Sequence, residues 1–240
     1  MSLRAHIPNA ITSLNLLCGV VGVVFALRGG VDVAFFLMLA AGLFDFCDGL
    51  AARLLNAHSP IGGELDSMAD MVSFGVLPSV MLYTCMEELG CAAPLCFIPL
   101  VLAVFSGIRL AKFNVDERQH TSFLGLPTPS SAIICGSLAV FCHACPESWL
   151  AHICSYWFVI PLLTVVLCAL LVSEVPMFSF KTGRSGGEGV QGMKRTAFLC
   201  ISAIIIILVL VLGLHWSIVP LGVFLSYVIE NLLFALFHIA

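Results

Sequence analysis

Long apolar runs, separated by short polar segments, dominate the chain. Each is close to about 20 residues, the length of an α-helix that crosses the hydrocarbon core of a bilayer. The pattern predicts an all-α fold, a polytopic transmembrane bundle of about eight helices whose last two form a hairpin. The runs lie at roughly 10–28, 31–53, 64–86, 93–112, 127–144, 153–172, 196–213 and 217–238.

Composition supports a membrane location. Hydrophobic residues make up 60% of the 240 residues and charged residues only 10%, whereas a soluble domain carries about 25% charged residues. So few charges cannot cover a water-facing surface, and membrane lipid must cover it instead. The formal net charge of −4 supplies no basic patch, so we expect no nucleic acid partner.

The basic residues are divided unequally between the two sides of the predicted bundle. Nine of the ten fall on the side of the amino terminus, and only Arg28 falls on the other side, near Glu87, Glu88 and Glu147. Cytoplasmic loops carry an excess of lysine and arginine. We therefore expect a multi-pass protein of the cell (inner) membrane, with both termini and the polar site described next facing the cytoplasm.

Four aspartates interrupt the second and third apolar runs. Asp45 and Asp48 lie three residues apart at the end of one run, and Asp66 and Asp70 lie four apart at the start of the next. These spacings place each pair on one helical face, and the loop at 54–63 lets the two helices return antiparallel. Because an aspartate at a membrane-helix centre costs about 2.5–3.5 kcal/mol, a shared function is indicated.

Four facing carboxylates repel one another unless a cation lies between them. Oxygen ligands alone favour Mg²⁺ or Mn²⁺ over zinc. Two such ions, about 3.5–4 Å apart, can hold the attacking and leaving oxygens of a phosphoryl transfer. The amino-terminal end of the third helix also favours an anionic diphosphate. These features predict a two-ion site for phosphate chemistry.

The residues from Asp45 to Arg53, followed by Gly62, Asp66 and Asp70, fit the motif D-x2-D-G-x2-A-R-x8-G-x3-D-x3-D with every spacing intact. In this motif the chain resembles the CDP-alcohol phosphotransferase family. The resemblance implies a six-helix core that holds a CDP-linked substrate, usually in a homodimer, with a two-metal site.

The resemblance also implies residue roles. It makes the four aspartates metal ligands, and it makes Asp70 the general base that deprotonates the acceptor hydroxyl. It makes Arg53 a contact of the diphosphate. Small residues would let the cytidine and the diphosphate approach the backbone, and they are Gly49, Ala52 and Gly62.

Other polar residues admit two interpretations each. Asn9 and Thr12 would hydrogen-bond the nucleotide or would simply cap the first helix. Arg109 and Lys112 would bind a lipid phosphate or the carboxylate of the acceptor, which the resemblance described next makes L-serine, or they would anchor their helix by reaching to the membrane surface. The same two interpretations apply to Lys181.

Further stretches, at 7–12, 109–114, 125–129 and 179–181, resemble the membrane-integral (type II) phosphatidylserine synthases. This resemblance implies direct transfer of the phosphatidyl group from CDP-diacylglycerol to L-serine, giving phosphatidylserine and CMP. We expect a catalytic core at 1–190 and a transmembrane hairpin at 191–240.

Two alternatives remain open. In the first, the acceptor is another alcohol, such as glycerol 3-phosphate, an inositol phosphate or an amino alcohol. In the second, the protein is a cation transporter. Carboxylates gathered toward one membrane face, next to Arg53, disfavour transport.

The eleven cysteines are interpreted as small apolar residues within helices. One pair, Cys142 and Cys145, forms a CxxC motif, which with His152 and Cys91 offers the alternative of a metal, redox or disulfide site.

Overall fold

A computed structural model describes residues 6–57, 60–116, 123–177 and 188–236. Within these ranges the chain forms eleven α-helices and two very short strands. In chain order the elements are α1 His6–Leu27, α2 Val31–Leu54, α3 Pro60–Asp70, α4 Leu77–Glu88, α5 Ala93–Cys96, α6 Val101–Val115, β1 Phe123–Leu124, α7 Thr128–Ala144, α8 Trp149–Cys154, α9 Val159–Val172, β2 Pro176–Met177, α10 Glu188–Leu212 and α11 Ile218–Leu236.

Six helical segments of the described chain are long and apolar enough to cross a membrane. Two shorter apolar helices, α7 and α9, bring the number of apolar helical segments to the eight expected. The predicted all-α polytopic fold is therefore confirmed, and the chain is a multi-pass membrane protein. The six long segments are His6–Leu27, Val31–Leu54, Ile61–Glu88, Ala93–Val115, Lys194–Leu212 and Ile218–Leu236.

Helix α7 lies at the centre of the bundle, and 13 of its 17 residues are buried. It packs against α4, α11 and α2. Close packing here depends on Gly136, because a Cβ at that position would lie 2.8 Å from side-chain atoms of both Met38 and Phe35. Small residues commonly allow membrane helices to approach in this way.

The third membrane span is not one continuous α-helix. A π-helical segment, Met71–Val76, follows directly after Asp70 and joins α3 to α4. The hydropathy pattern predicted one uninterrupted helix, since it does not distinguish π-helical from α-helical turns. π-Helical turns within α-helices occur frequently at functional sites.

A two-stranded antiparallel ladder connects the segments that follow α6 and α9. Phe123 pairs with Met177, and Leu124 pairs with Pro176. Gly125, with φ of 75°, continues the connection because its N–H donates to the carbonyl oxygen of Val175 at 2.9 Å. The ladder is not evident from the sequence, because its strands contain only two residues each.

The last two spans form the expected hairpin, turning at Gly213, where φ is 62°. Helix α11 packs against α7 as well as α10. In the apolar stretch of α10, by contrast, only 11% of the residues are buried. The division into a core at 1–190 and a hairpin at 191–240 stays a proposal. Helix α10, the first helix of the hairpin, begins at Glu188, which is close to that boundary.

The eleven cysteines are all free thiols. In the CxxC motif Cys142 is buried near the end of α7, and Cys145 follows at the end of that helix.

Replacing Gly125 with alanine should destabilise the fold more than replacing a glycine in open space. A Cβ at Gly125 would lie 2.7 Å from the carbonyl oxygen of Ser173 and 2.9 Å from that of Leu171. Gly29 is the matched control, because its φ is 80° and nothing lies within 4 Å of an added Cβ. There the left-handed backbone alone costs about 1–2 kcal/mol.

Thermal unfolding of the detergent-solubilised variants measures the difference. Gly125→Ala should lower Tm clearly further than Gly29→Ala. Equal shifts in Tm would show that the backbone around Gly125 relaxes without cost.

Candidate active site

The aspartates lie where the end of α2 faces the start of α3. Asp45 and Asp48 are on α2, and Asp66 is on α3. Each of these three offers a carboxylate oxygen, and the three oxygens lie within 4.8 Å of one another. Over the described ranges, this is the single group of at least three acidic, cysteine or histidine residues with such geometry.

The donor atoms of this group suit a divalent cation. Oδ2 of Asp48 and Oδ1 of Asp66 are buried and have no hydrogen-bond partner. A buried carboxylate oxygen without a partner is costly, and a cation would satisfy it. Because the donors are all oxygens, a hard ion of the Mg²⁺ or Mn²⁺ type fits better than zinc.

Asp70 lies one turn further along α3 and is held differently from the other aspartates. Its Oδ1 accepts a hydrogen bond of 3.2 Å from Nδ2 of Asn15 on α1. The structure thus brings three of the four predicted metal ligands into one group and places Asp70 beside that group, hydrogen-bonded to a neutral amide.

A cleft of about 230 Å³ opens beside the carboxylates. It lies between the start of α1, the end of α2 and the start of α3. The cleft contains all six residues predicted to bind the CDP-lipid, together with two of the aspartates. Its lining is Pro8, Asn9, Thr12, Asp48, Gly49, Ala52, Arg53, Ala57, Gly62, Gly63 and Asp66.

The small residues of the cleft leave room at the backbone. Nothing lies within 4 Å of a Cβ built on Gly49 or Gly63, so a ligand in the cleft could approach the backbone there. Arg53, exposed in the last turn of α2, supplies a positive charge at the rim. An arginine fork suits the paired oxygens of a phosphate group.

The capping interpretation of Asn9 and Thr12 does not fit the helix bounds. Both residues lie inside α1, which begins at His6. The Thr12 hydroxyl donates to the carbonyl oxygen of Pro8 at 3.0 Å, whereas a capping side chain accepts from a free N–H. Both residues nevertheless line the cleft.

Arg109 and Lys112 lie on α6 and line a second cleft, with Asp116 at the end of α6 and Ser173 and Glu174 after α9. The Lys112 ammonium donates to the carbonyl oxygen of Val172 at 3.2 Å. Lys181 lies outside the described residues.

Arg109 is only 7% exposed. Its Nη1 donates to the Thr128 hydroxyl at 3.0 Å, and its guanidinium lies 5.5 Å from the ring centroid of Phe113. Its Nε has no hydrogen-bond partner. A buried guanidinium does not match the membrane-surface anchoring considered from sequence, because anchoring leaves the charged head in water.

Three residues of these sites were not identified from sequence. Asn15, Ser73 and Thr128 are each fully or almost fully buried. Asn15 could have been noticed as an amide within an apolar run, but its partner is 55 residues away along the chain. Only the packing of α1 against α3 identifies that partner.

The fold and site define a polytopic α-helical membrane protein with a cluster of carboxylates at one end of its bundle. The family model for CDP-alcohol phosphatidyltransferase matches residues 5–167, and the chain belongs to this family. The family expected from the aspartate motif is therefore confirmed. Helices α10 and α11 lie beyond the matched segment.

Curated relatives are similar over part of the chain. The CDP-diacylglycerol–serine O-phosphatidyltransferase of Bacillus subtilis is 38% identical over 125 residues, covering 52% of this chain and 70% of the relative. That of Mycobacterium tuberculosis is 35% identical over 179 residues, covering 71% of this chain and 60% of the relative. The archaetidylserine synthase of Methanothermobacter thermautotrophicus is 33% identical over 138 residues, covering 55% of this chain and 56% of the relative.

The chain therefore spans about 60% of the length of the mycobacterial relatives that it matches.

Removing one carboxylate of the three-aspartate group should weaken divalent-cation binding. We expect Asp66→Asn to lower Mn²⁺ affinity by about tenfold or more, since an amide replaces an ionised oxygen ligand. Electron paramagnetic resonance of free Mn²⁺ in titrations of the detergent-solubilised protein measures this affinity.

The matched control is Glu64→Gln. Glu64 is an exposed acidic residue on the same helix, two positions before Asp66 and outside the group. Mn²⁺ affinity that falls equally in both variants would argue for diffuse charge attraction and against a defined site.

Proposed function

We propose that the protein transfers the phosphatidyl group of CDP-diacylglycerol to L-serine, giving phosphatidylserine and CMP. The observation that carries this proposal is the cleft in which Gly49, Arg53 and Gly62 adjoin the aspartate group. It offers room, a positive charge and cation ligands for one diphosphate. The names of the bacterial relatives support this choice of substrates.

We further propose that Mg²⁺ or Mn²⁺, as two ions, is held by Asp45, Asp48, Asp66 and Asp70. When bound, these ions would neutralise the charge of the diphosphate and of the departing CMP. The unpartnered oxygens of Asp48 and Asp66 support this assignment.

The chain's own residues would carry out a direct displacement. Asp70 accepts the proton of the serine hydroxyl while the serine oxygen forms a bond to the phosphorus that bears diacylglycerol. The bond from that phosphorus to the oxygen shared with CMP breaks, and CMP leaves with the electron pair. Since a carboxylate is a weak base near neutral pH, Asp70 would rely on close and correct positioning.

The second cleft carries charges that match a zwitterionic acceptor, although its volume of about 20 Å³ holds about one water molecule, so the cleft would have to widen to admit serine. It places the cationic Arg109 and Lys112 in one lining with the acidic Asp116 and Glu174. An amino acid carries a carboxylate for the first pair and an ammonium for the second. A phosphorylated acceptor, such as glycerol 3-phosphate or an inositol phosphate, would bring two negative charges toward the acidic pair.

The charge of Asp70 acts on the Arg109 guanidinium, which supports a proposed base in the neighbourhood of the proposed acceptor cleft. In this arrangement Arg109 and Lys112 bind the serine carboxylate. Lys181 is retained as a proposed contact of the acceptor or of the lipid phosphate.

We propose that the site faces the cytoplasm of a cell (inner) membrane, since basic residues concentrate on that side. The acyl chains would remain in lipid while the nucleotide and serine exchange with water. A homodimer is proposed from family resemblance. A cation transporter would need carboxylates accessible from both faces, whereas these lie together at one end of α2 and α3.

Purified protein supplied with CDP-diacylglycerol, Mn²⁺ and L-serine should release CMP and form phosphatidylserine. Chelation of the metal should abolish the release. Parallel reactions with glycerol 3-phosphate, inositol phosphate and ethanolamine test the acceptor, with CMP followed by chromatography. Release only with another alcohol would overturn the serine assignment, and no release with any acceptor would overturn the proposed transferase.

The variant Asp70→Asn should fold and bind CDP-diacylglycerol but lose turnover, because an amide cannot accept the hydroxyl proton. We expect kcat to fall by about 10²-fold or more, as for loss of general-base catalysis. Steady-state CMP release and the affinity for CDP-diacylglycerol are the two measurements. Undiminished kcat in this variant would exclude Asp70 as the base.

A further inference from the structure

Asn15 is a fully buried amide on α1, within a membrane-spanning helix. A buried polar side chain among apolar helices needs partners, and Asn15 has two. Its Nδ2 donates to Oδ1 of Asp70 at 3.2 Å, and its Oδ1 accepts from Oγ of Ser73 at 2.7 Å. The amide therefore connects the proposed base to a residue one turn beyond it.

The chemistry of the partners determines which end of the amide faces which group. An ionised carboxylate can only accept hydrogen bonds, so the NH₂ end must face Asp70. The carbonyl end then faces Ser73, whose hydroxyl can donate. Reversing the amide would set two oxygens against each other at Asp70 and would leave the Asn15 NH₂ group facing Ser73.

Ser73 is brought to Asn15 by two backbone features. It lies in the π-helical segment Met71–Val76 that begins directly after Asp70. It also packs against Gly19, one turn along α1 from Asn15, where an added Cβ would collide with Oγ of Ser73. The Ser73 hydroxyl lies 3.1 Å from the backbone oxygen of Asn15 as well, which keeps it on α1.

We propose that Asn15 is a positioning residue for Asp70, with Ser73 fixing the orientation of its amide. This inference rests on the proposed function, in which Asp70 takes the acceptor proton. Asn15 occupies Oδ1 of Asp70 and leaves Oδ2 for the acceptor hydroxyl. A neutral donor restrains the carboxylate without adding a further charge beside Asp45, Asp48 and Asp66.

The test compares Asn15→Ala with wild type. This variant should lower kcat by about 10-fold to 100-fold, the loss expected when a catalytic group is displaced. KM for CDP-diacylglycerol and the affinity for Mn²⁺ should change by less than about twofold, because the ground-state contacts remain. In an Asp70→Asn background, Asn15→Ala should cause no further loss of kcat.

A substitution at Ser73 tests the proposal independently. Alanine is smaller than serine, so it fits at this position without colliding with Gly19. Ser73→Ala should lower kcat, because the hydroxyl that orients the Asn15 amide is lost. Ser79→Ala is the matched control. Ser79 is a fully buried serine on the adjoining α4 whose hydroxyl donates to the carbonyl oxygen of Gly75 in the same span, and its loss should leave kcat unchanged.

The outcomes separate this inference from the proposed function. If wild type turns over and Asn15→Ala retains kcat within about twofold, the positioning role is wrong while the transferase stands. A parallel loss of Tm, Mn²⁺ affinity and kcat in the Asn15 and Ser73 variants would indicate a merely structural role. A wild-type protein that releases no CMP with any acceptor would overturn both.

Discussion

The placement of four carboxylates at the ends of membrane helices is the constraint on which the rest of the structure depends. An isolated aspartate at the centre of a membrane helix would cost about 2.5–3.5 kcal/mol, which is an upper bound for aspartates at helix ends. The fold meets this cost in two ways. Asp45, Asp48 and Asp66 converge within 4.8 Å, where a cation can neutralise them, and Asp70 receives a hydrogen bond from Asn15. Both solutions require α1, α2 and α3 to meet at one end of the bundle.

Close approach of these helices depends on small residues, since apolar side chains gain little from leaving lipid for a protein interior. A Cβ at Gly19 would collide with Ser73, and a Cβ at Gly22 would lie 2.7 Å from a side-chain carbon of Leu77. The glycines of α1 thus allow the span that carries Asp70 to pack against it. The same approach brings Asn15 into hydrogen-bonding distance. Helix packing and the arrangement of the proposed catalytic groups therefore have a common origin.

The two clefts differ in charge, and the difference matches the two proposed substrates. The first joins carboxylates to one rim arginine and suits a diphosphate that arrives with cations. The second contains cationic and acidic residues together and suits a zwitterion. Arg109, which is buried, belongs to the lining of the second cleft. In the proposed arrangement it would hold the serine carboxylate.

The sequence by itself determined the membrane spans, the family and the main cluster. Helix periodicity is local, so spacings of three and four residues suffice to place Asp45 with Asp48, and Asp66 with Asp70, on shared faces. The tertiary structure decided the rest, because it depends on contacts between residues distant in sequence. Asn15 meets Asp70 across 55 positions, and the buried Arg109 donates to Thr128 on another helix. The π-helical turn after Asp70 could not be predicted from the sequence either, because hydropathy indicates burial and not the register of backbone hydrogen bonds.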